Sequence, residues 1–400
     1  MSNFFSPFNA LCIVGFFARF SYSLARSPVL PLFAVYLGAG PEATGIAVGI
    51  STVTGILFKL PSGALSDIIG RKGTMFIGLI FFAFTPFTYL FIKDYTLLVI
   101  IRFIHGFATA VYGPVSMAVV IDIAGGKKGE KLSWFSSITI IGNLIGAPAG
   151  GFLLYRLSGG TPTFLDFHTV YIVSGITGLL SLLIALKLLT QEEKIERDKN
   201  FKEAYQRFFS GIREVIGDKG VLITSNMEGL QNLAVGALEA FLPLYAVKIA
   251  GLNEFQAGLL WGIQVLVTIL SKPVMGRVSD RYGRKPLISA GMLLCALSFA
   301  SIPLMRDFYL LMLAAIVFGT GEAFVTSSSA ALIADICKEK NYGTAMGTFG
   351  TIFDIGHASG PILAGFLIAR FDYLYSFLLM SAILLFSLPF FILYVKPYKY

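Results

Sequence analysis

The feature that most constrains this chain is a series of apolar runs of about 20 residues or more, repeated along almost its whole length. A helix of that length crosses a hydrocarbon core of about 30 Å. Only 14% of the residues are charged and the mean hydropathy is +0.76, whereas soluble domains carry about 25% charged residues. A soluble fold would lack a polar surface, so the sequence predicts an all-α integral membrane protein.

Hydropathy and loop residues predict twelve transmembrane helices, which we call spans 1 to 12. Their predicted limits are 8–37, 43–65, 72–92, 95–123, 132–155, 167–189, 220–249, 254–279, 286–304, 308–336, 342–370 and 372–395. The long polar stretch after span 6 is interpreted as a cytoplasmic linker; an amphipathic helix over 201–216 and a solvated tether both remain open. The predicted domains are an N-terminal six-helix bundle (1–189), the linker (190–219) and a C-terminal six-helix bundle (220–400).

The placement of Lys and Arg predicts the orientation in the membrane. These residues gather in a few short segments that alternate with loops carrying at most one or two of them. By the positive-inside rule, the basic segments and both termini are expected in the cytoplasm, with the protein in the plasma membrane, a prokaryotic inner membrane. No charged segment followed by a cleavage site precedes span 1, so no signal peptide is predicted. Cys12, Cys295 and Cys337 are too scattered to indicate a disulfide framework or a metal site.

The two halves of the sequence repeat. A shift of 213 positions places GALSDIIGRK (63–72) on GRVSDRYGRK (276–285), with six of ten residues identical. The same shift takes Lys59 to Lys272 and Gly106 to Gly319. One register across several helices indicates an internal duplication. Two parallel six-helix repeats are a transporter architecture, in which the substrate site lies between the halves near the middle of the bilayer.

At this point the residues resemble a known family. The motif at 63–72 resembles the signature between helices 2 and 3 of the major facilitator superfamily, and its copy at 276–285 lies where that family has it, between helices 8 and 9. Arg102 with Gly106 resembles the motif of helix 4. The run GNLIGAPAGG (142–151) resembles the helix 5 motif of the drug–proton antiporter branch, although Ala147 stands where the strictest form has glycine. The resemblance covers essentially the whole chain and implies two pseudo-symmetric six-helix bundles.

The first motif predicts a gate. Its residues are Gly63, Asp67, Gly70, Arg71, Lys72 and Asp122 in the first copy, and Asp280, Arg284 and Asp335 in the second. Glycine permits a tight turn, and a cluster of carboxylates with arginine at the cytoplasmic ends would latch helices together in one transport state. The alternative is that the basic pair Arg71 and Lys72 only fixes orientation in the membrane.

A second motif predicts close helix packing. Gly142, Gly146 and Gly150 recur every four residues and form a stripe on one face of span 5. Such stripes let helices approach closely, and Pro148 adds a bend. Gly151 lies off the stripe and is expected to tolerate a larger side chain better than Gly146. In the resembling family this packing accompanies export, and packing without any transport role is the alternative.

Ionisable residues inside the spans are the candidate site, because each costs about 2.5–3.5 kcal/mol on insertion scales. The proton-coupling candidates are Glu322, Glu228, Asp354 and Glu239. The substrate-cavity candidates are Arg19, Tyr22, Arg26, Arg102, His105, Tyr112, Gln231, Asn232 and His357. Static ion pairs between arginines and carboxylates, and a packing role for His105, are the alternatives. Lys59 and Lys272 are expected to snorkel toward the membrane surface.

The leading functional hypothesis is a secondary active transporter that works by alternating access and exports small organic molecules in exchange for protons, as multidrug efflux proteins do. It would act as a monomer in the bilayer, driven by the proton gradient, without a cofactor, a metal or nucleic acid. An uptake carrier or exchanger of an organic anion is the alternative, suggested by the arginines. A membrane receptor or a lipid-handling protein is the alternative of another class. Neither a zinc-protease motif nor a P-loop indicates an enzyme.

Overall fold

The structure is a computed structural model that describes residues 6–125, 127–188, 219–336 and 342–395. The side chains at 60, 64, 67–69, 188 and 342–344 are outside the description. The predicted linker, with its helix over 201–216, lies outside the described residues except for Lys219, and so does Cys337. The described ranges contain helices and no strand.

Within these ranges the α-helices follow one another in simple order. They are α1 (Pro7–Leu24), α2 (Val29–Tyr36), α3 (Pro41–Ile69), α4 (Arg71–Thr88), α5 (Tyr95–Ile123), α6 (Lys128–Ser158), α7 (Phe164–Leu188), α8 (Lys219–Lys248), α9 (Glu254–Tyr282), α10 (Arg284–Ser301), α11 (Phe308–Ile336) and α12 (Tyr342–Tyr394). Short 3₁₀ helices, Tyr89–Phe91 and Ile302–Leu304, follow α4 and α10.

The helices account for twelve membrane crossings. In the described part of the chain, 11 stretches are long and apolar enough to cross a membrane, and the last has 50 residues. A single crossing needs about 20 residues, so this stretch contains two. It is interrupted at Asp372, where φ is 67° and ψ is −178°. Oδ1 of Asp372 accepts a hydrogen bond from the backbone N–H of Tyr375 at 3.2 Å, which caps the second helix. The predicted all-α membrane fold with twelve spans is confirmed.

Span 1 differs from the prediction of one continuous helix over 8–37. α1 ends at Leu24 and α2 begins at Val29. The reason lies in proline, which has no backbone N–H: Pro28 and Pro31 cannot bond to the carbonyls four residues earlier. The connection tightens instead, and the N–H of Arg26 bonds to the carbonyl of Ser23 at 3.1 Å.

The sequence repeat is also a repeat of local structure. Asp94 caps α5, accepting from the N–H of Leu97 at 2.9 Å. Its repeat partner Asp307 caps α11, accepting from two backbone N–H groups at 2.9 and 3.1 Å. Gly70 precedes α4 with φ of 97° and Gly283 precedes α10 with φ of 92°, a region that favours glycine. The same residue types therefore begin the same helices in both halves.

The chain forms two compact units. Unit 1 comprises Met1–Ala39, Ile50–Asn200 and Asn253–Leu259, and unit 2 comprises Gly40–Gly49, Phe201–Leu252 and Leu260–Tyr400. The first residues of α3 therefore belong to unit 2 and those of α9 to unit 1. The boundaries predicted for the two six-helix bundles stay a prediction.

Small residues bring the helices of each unit together, as expected where lipid removes the hydrophobic drive for association. In unit 1, Ser21 and Ser174 each donate to the other's backbone carbonyl, at 2.7 and 2.8 Å, and so join α1 to α7. In unit 2, α8 and α12 approach so closely that Gly356 packs on the backbone of Gly229. Ser298 donates to the carbonyl of Ala314 at 2.7 Å and joins α10 to α11.

Candidate functional site

An arginine–carboxylate contact closes each of the two motif turns. In unit 1, Arg71 on α4 pairs with Asp122 at the end of α5 and donates to the carbonyl of Ala118 at 3.2 Å. In unit 2, the guanidinium of Arg284 lies 2.5 Å from a carboxylate oxygen of Asp280 and 3.1 Å from one of Asp335. The shift of 213 relates Arg71 to Arg284 and Asp122 to Asp335. Each arginine ties two helices of its own unit at equivalent places, and its role in gating stays a prediction.

The remaining motif residues of unit 1 are arranged around the turn. The side chain of Asp67 lies outside the described residues. Lys72 is in the first turn of α4, directly after Arg71. Among the described residues, no atom lies within 4 Å of a Cβ built on Gly63 or Gly70, so no described contact explains these glycines by packing. At Gly70 the positive φ does.

Arg102 and His105 of α5 form a buried polar cluster in unit 1. Arg102 is 1% exposed; it donates to the hydroxyl of Ser51 at 2.6 Å and to that of Tyr89 at 3.5 Å. Nδ1 of His105 lies 3.1 Å from the same Tyr89 hydroxyl. The guanidinium lies 5.7 Å from the ring centroid of Tyr22. The structure thus brings together three of the predicted cavity residues and joins them through two hydroxyl groups.

Arg19 and Arg26 lie on α1 and its C-terminal turn, near two tyrosines. The guanidinium of Arg26 is 5.6 Å from the ring centroid of Tyr22. Arg19 is part-exposed, and its electrostatic neighbours are Tyr112, Tyr22 and Arg26. Tyr112, from α5, is 1% exposed, and its hydroxyl has no hydrogen-bond partner in the part of the chain that the structure describes. This side of unit 1 is rich in positive charge and phenol hydroxyls.

Glu322, near the middle of α11, faces a polar stripe on α9. Its Oε2 accepts hydrogen bonds from the side-chain amide of Gln264 and, at 3.1 Å, from the hydroxyl of Thr268. Lys272 also acts on it electrostatically. Gln264, Thr268 and Lys272 are spaced by four residues and therefore share one face of α9. Lys272 thus has an acidic neighbour on another helix, and the snorkelling expected of it stays a prediction.

Glu228 on α8 joins the same set of charges. It is 0% exposed, and its Oε1 accepts from the amide of Asn232 at 3.3 Å. Lys272 and Glu322 are its charged neighbours. Gln231 lies beside it and accepts from the same amide at 3.0 Å. We call Glu228, Gln264, Thr268, Lys272 and Glu322 the α9 cluster.

The other two acidic candidates of unit 2 lie on α8 and α12. Oε2 of Glu239 lies 3.6 Å from Nε2 of His357, an ion pair when the imidazole is protonated. Asp354 is part-exposed and lies three residues before His357 on α12. Two sequence candidates, Glu239 and His357, are therefore a contacting pair, which spacing along the chain did not indicate.

The glycine stripe of α6 lies against α1. A Cβ built on Gly142 would lie 2.6 Å from the carbonyl oxygen of Phe16, and one on Gly146 would lie 2.8 Å from that of Phe20. Gly150 meets the carbonyl of Leu24 in the same way. The steric premise that Gly151 tolerates a larger side chain better than Gly146 is wrong, and the effect on transport stays a prediction. A Cβ built on Gly151 would contact the backbone of Glu254, because the first turn of α9 packs on that face of α6 beside Pro148.

The sequence interpretation missed the polar partners of the two central charges: Ser51 and Tyr89 around Arg102, and Gln264 and Thr268 around Glu322. A signal for the second pair was available. Gln264, Thr268 and Lys272 form a polar stripe at helical spacing in an otherwise apolar span. Ser51 is also the repeat partner of Gln264 under the shift of 213.

Comparisons with known proteins agree with this architecture. The family model described as Major Facilitator Superfamily matches residues 11–270 and 228–399. An uncharacterised MFS-type transporter of Methanocaldococcus jannaschii is 23% identical over 365 residues, covering 90% of this chain and 89% of that protein. The class H tetracycline resistance protein of Pasteurella multocida is 27% identical over 180 residues, 44% of each, so less than half of its length is matched.

A solved structure shows the same fold. The bacterial homologue of the human lysosomal transporter Spinster, in an inward-facing and occupied conformation, matches with a TM-score of 0.80. The match covers 97% of this chain and 95% of the other, at 13% identity. At that identity the likeness is one of fold alone.

Proposed function

This chain belongs to the Major Facilitator Superfamily, and from that premise we propose that it is a proton-coupled exporter of small organic molecules that works by alternating access. The relative named for tetracycline resistance and the glycine stripe of α6 support the direction of transport. The alternating basic segments support a plasma-membrane location with those segments in the cytoplasm. The protein is proposed to act as a monomer, with the proton gradient in place of a cofactor.

The observation that carries the proposal is the α9 cluster. Two carboxylates, Glu228 and Glu322, lie within electrostatic reach of one ammonium group, that of Lys272. With both carboxylates ionised, the cluster holds one negative charge, and binding of one proton makes it neutral. A net charge inside the membrane is costly. The change between the two transport states therefore has a lower free-energy cost when the cluster is protonated and neutral than when it carries a negative charge. One site that alternates between these states exchanges one proton per cycle.

Glu322 is the member of the cluster that we assign to coupling. It is part-exposed, whereas Glu228 is 0% exposed, so of the two carboxylates Glu322 is the one that a proton from a water-filled cavity would reach first. Its partners Gln264 and Thr268 are neutral donors from another helix. Loss of the negative charge on Glu322 weakens these charge-assisted hydrogen bonds. Protonation therefore changes how α11 is held to α9, which links the proton to helix movement.

The test uses the purified full chain in proteoliposomes that contain the pH dye pyranine. Compounds that stabilise the protein in a thermal-shift screen are added outside, and proton movement and compound movement are recorded together. The wild type is expected to exchange protons for compound. The Glu322→Gln variant is expected to lose proton-driven flux and to keep exchange of compound for compound, because glutamine mimics the protonated state.

Glu130→Gln is the matched control, since Glu130 is an exposed residue at the start of α6. It should transport as the wild type does. Undiminished proton-driven flux in Glu322→Gln would contradict the assignment and move attention to Glu228 and Asp354. The direction of the coupled flux separates export from the uptake alternative, and the absence of any flux would favour a receptor or a lipid-handling protein.

A further inference from the structure

The guanidinium of Arg19 is a cation inside unit 1 with no acidic partner among the described residues of that unit. Arg19 lies in α1, well inside the first span. Spans 1 to 6 contain no Asp or Glu away from their ends. Within the described part of the chain, Arg19 makes no hydrogen bond or ion pair, and its electrostatic neighbours are two phenols and a second arginine. This is an unusual place for a group that stays charged at all physiological pH values.

The position of Arg19 is informative because burying a charged side chain in a membrane costs free energy. A charged side chain in a span faces the bundle interior or a water-filled cavity, because exposure to hydrocarbon is expensive. Arg19 is part-exposed, and by this principle its guanidinium belongs at a water-filled cavity rather than in hydrocarbon. Its five N–H donors match the two oxygens of a carboxylate in a planar, bidentate geometry.

Tyr112 supplies a second, independent observation. Its hydroxyl is buried and has no partner among the described residues, and a buried hydroxyl is normally hydrogen-bonded. The ring is held in place, since it packs edge-on against Phe82 at 5.7 Å between centroids. Its backbone is also fixed by the close approach of Gly78, where a built Cβ would lie 2.8 Å from the Tyr112 nitrogen. Arg19 lies close by: a Cβ built on Gly113, the residue after Tyr112, would lie 3.8 Å from a terminal nitrogen of the Arg19 guanidinium. A fixed donor beside a cation that has no acidic partner in its own unit is the complement of an oxyanion.

We propose that Arg19 and Tyr112 form the subsite that binds a carboxylate group of the substrate, so that the transported class is organic acids. The inference rests on the proposed function in one respect, that the chain carries small organic molecules. Arg19 holds the carboxylate through two parallel N–H donors, and the Tyr112 hydroxyl donates a third hydrogen bond. The bound acid offsets the positive charge of α1, which the unit itself does not offset with a carboxylate.

Equilibrium binding tests this without any gradient. The full chain in detergent micelles is melted with a panel of aromatic and aliphatic carboxylates, each paired with its own amide, and benzoate with benzamide is the reference pair. Carboxylates are expected to stabilise the protein and the amides are not. Arg19→Gln is expected to weaken carboxylate binding by about 10- to 100-fold. Arg19→Lys should recover part of the loss, because lysine keeps the charge without the planar fork.

Two further variants keep the result interpretable. Tyr112→Phe should weaken carboxylate binding several-fold and leave the melting temperature of the unliganded protein unchanged, because the hydroxyl it removes has no partner. If Arg19→Gln does not fold, carboxylate binding by Tyr112→Phe alone tests the proposed subsite, and binding as strong as that of the wild type would contradict it. Arg156→Gln is the matched control, since Arg156 is exposed at the end of α6, and it should bind as the wild type does.

Four outcomes overturn the proposal: no carboxylate stabilises the wild type at millimolar concentration, the amides stabilise it equally, Arg19→Gln binds carboxylates like the wild type, or chloride and phosphate stabilise as well as the organic acids do. The last would mean an inorganic anion site. Because no pH gradient is present, loss of proton-driven flux in the liposome assay does not affect this result, and failure of carboxylate binding leaves the proton assay intact.

Discussion

In unit 1 the interiors of the spans carry three arginines and one lysine without any carboxylate, whereas in unit 2 they carry four carboxylates and one lysine. The arginines of unit 1 are Arg19, Arg26 and Arg102, and the acids of unit 2 are Glu228, Glu239, Glu322 and Asp354. Two halves that repeat in sequence therefore place opposite charges in the membrane. The carboxylate subsite proposed above lies in unit 1, and the proposed proton site lies in unit 2.

Beneath these charges the two units share one backbone framework. A Cβ built on Gly106 would lie 2.6 Å from the carbonyl oxygen of Ser51, and one on Gly319 would lie 2.5 Å from that of Gln264. Both pairs are related by the shift of 213. The hydroxyl of Ser51 accepts from Arg102, and the amide of Gln264 donates to Glu322. Equivalent positions thus bind a cation in one unit and a carboxylate in the other. The reason is chemical: the serine hydroxyl can accept a hydrogen bond from a guanidinium, and the glutamine amide can donate one to a carboxylate.

The largest expected effect tests the shared framework. Gly106→Val and Gly319→Val each push a side chain into a backbone carbonyl, so each should lower the free energy of unfolding by about 3 kcal/mol, at the upper end for overpacking. Denaturant titration in detergent micelles measures the change. Gly347→Val is the control, because no atom of the described residues lies within 4 Å of a Cβ built there. If the two variants lost strongly unequal amounts of free energy of unfolding, the structural equivalence of positions 106 and 319 would be contradicted.

An intermediate effect is expected where the units differ. Ser51→Ala removes the acceptor of a hydrogen bond from buried Arg102, and Gln264→Ala removes a donor to Glu322. Hydrogen bonds to charged groups are worth about 1.5–3 kcal/mol. Ser51→Ala should lower the free energy of unfolding by about 2 kcal/mol. Gln264→Ala should lower it by less, because Thr268 and Lys272 still interact with Glu322. Denaturant titration of both variants measures which one loses more stability, and Ser133→Ala, at an exposed serine, is the control. A larger loss at Gln264 would mean that the carboxylate depends on the amide alone.

The smallest expected effect concerns the two motif turns. Asp122→Asn and Asp335→Asn remove one carboxylate from Arg71 and Arg284, and partly exposed ion pairs contribute about 0.2–1 kcal/mol. Each variant should lose less than about 1 kcal/mol of its free energy of unfolding. At high salt, which screens exposed charges, its stability should approach that of the wild type. Transport should fall by a similar factor in both if the turns gate the cycle. A loss of transport in only one variant would show that the gates of the two units are unequal.

Much of the framework was predictable because it depends on neighbouring residues. Apolar length predicted the number of spans, and the shift of 213 relates Gly70 to Gly283 and Asp94 to Asp307 in the sequence. The break between α1 and α2 was missed, although Pro28 marked it. Gly151 was judged by its position relative to one helix face, whereas a second neighbour, the start of α9, packs on it.

By itself the sequence determined the twelve crossings, the duplication and the types of charge that enter the membrane, because hydropathy and helix caps are properties of contiguous residues. Only the tertiary structure decided which partner each charge has. Arg102 bonds to Ser51 across 51 positions of the chain, and Glu322 bonds to Gln264 across 58. A hydrogen bond needs its two atoms within about 3 Å, and helix packing alone brings residues so far apart in sequence to that distance.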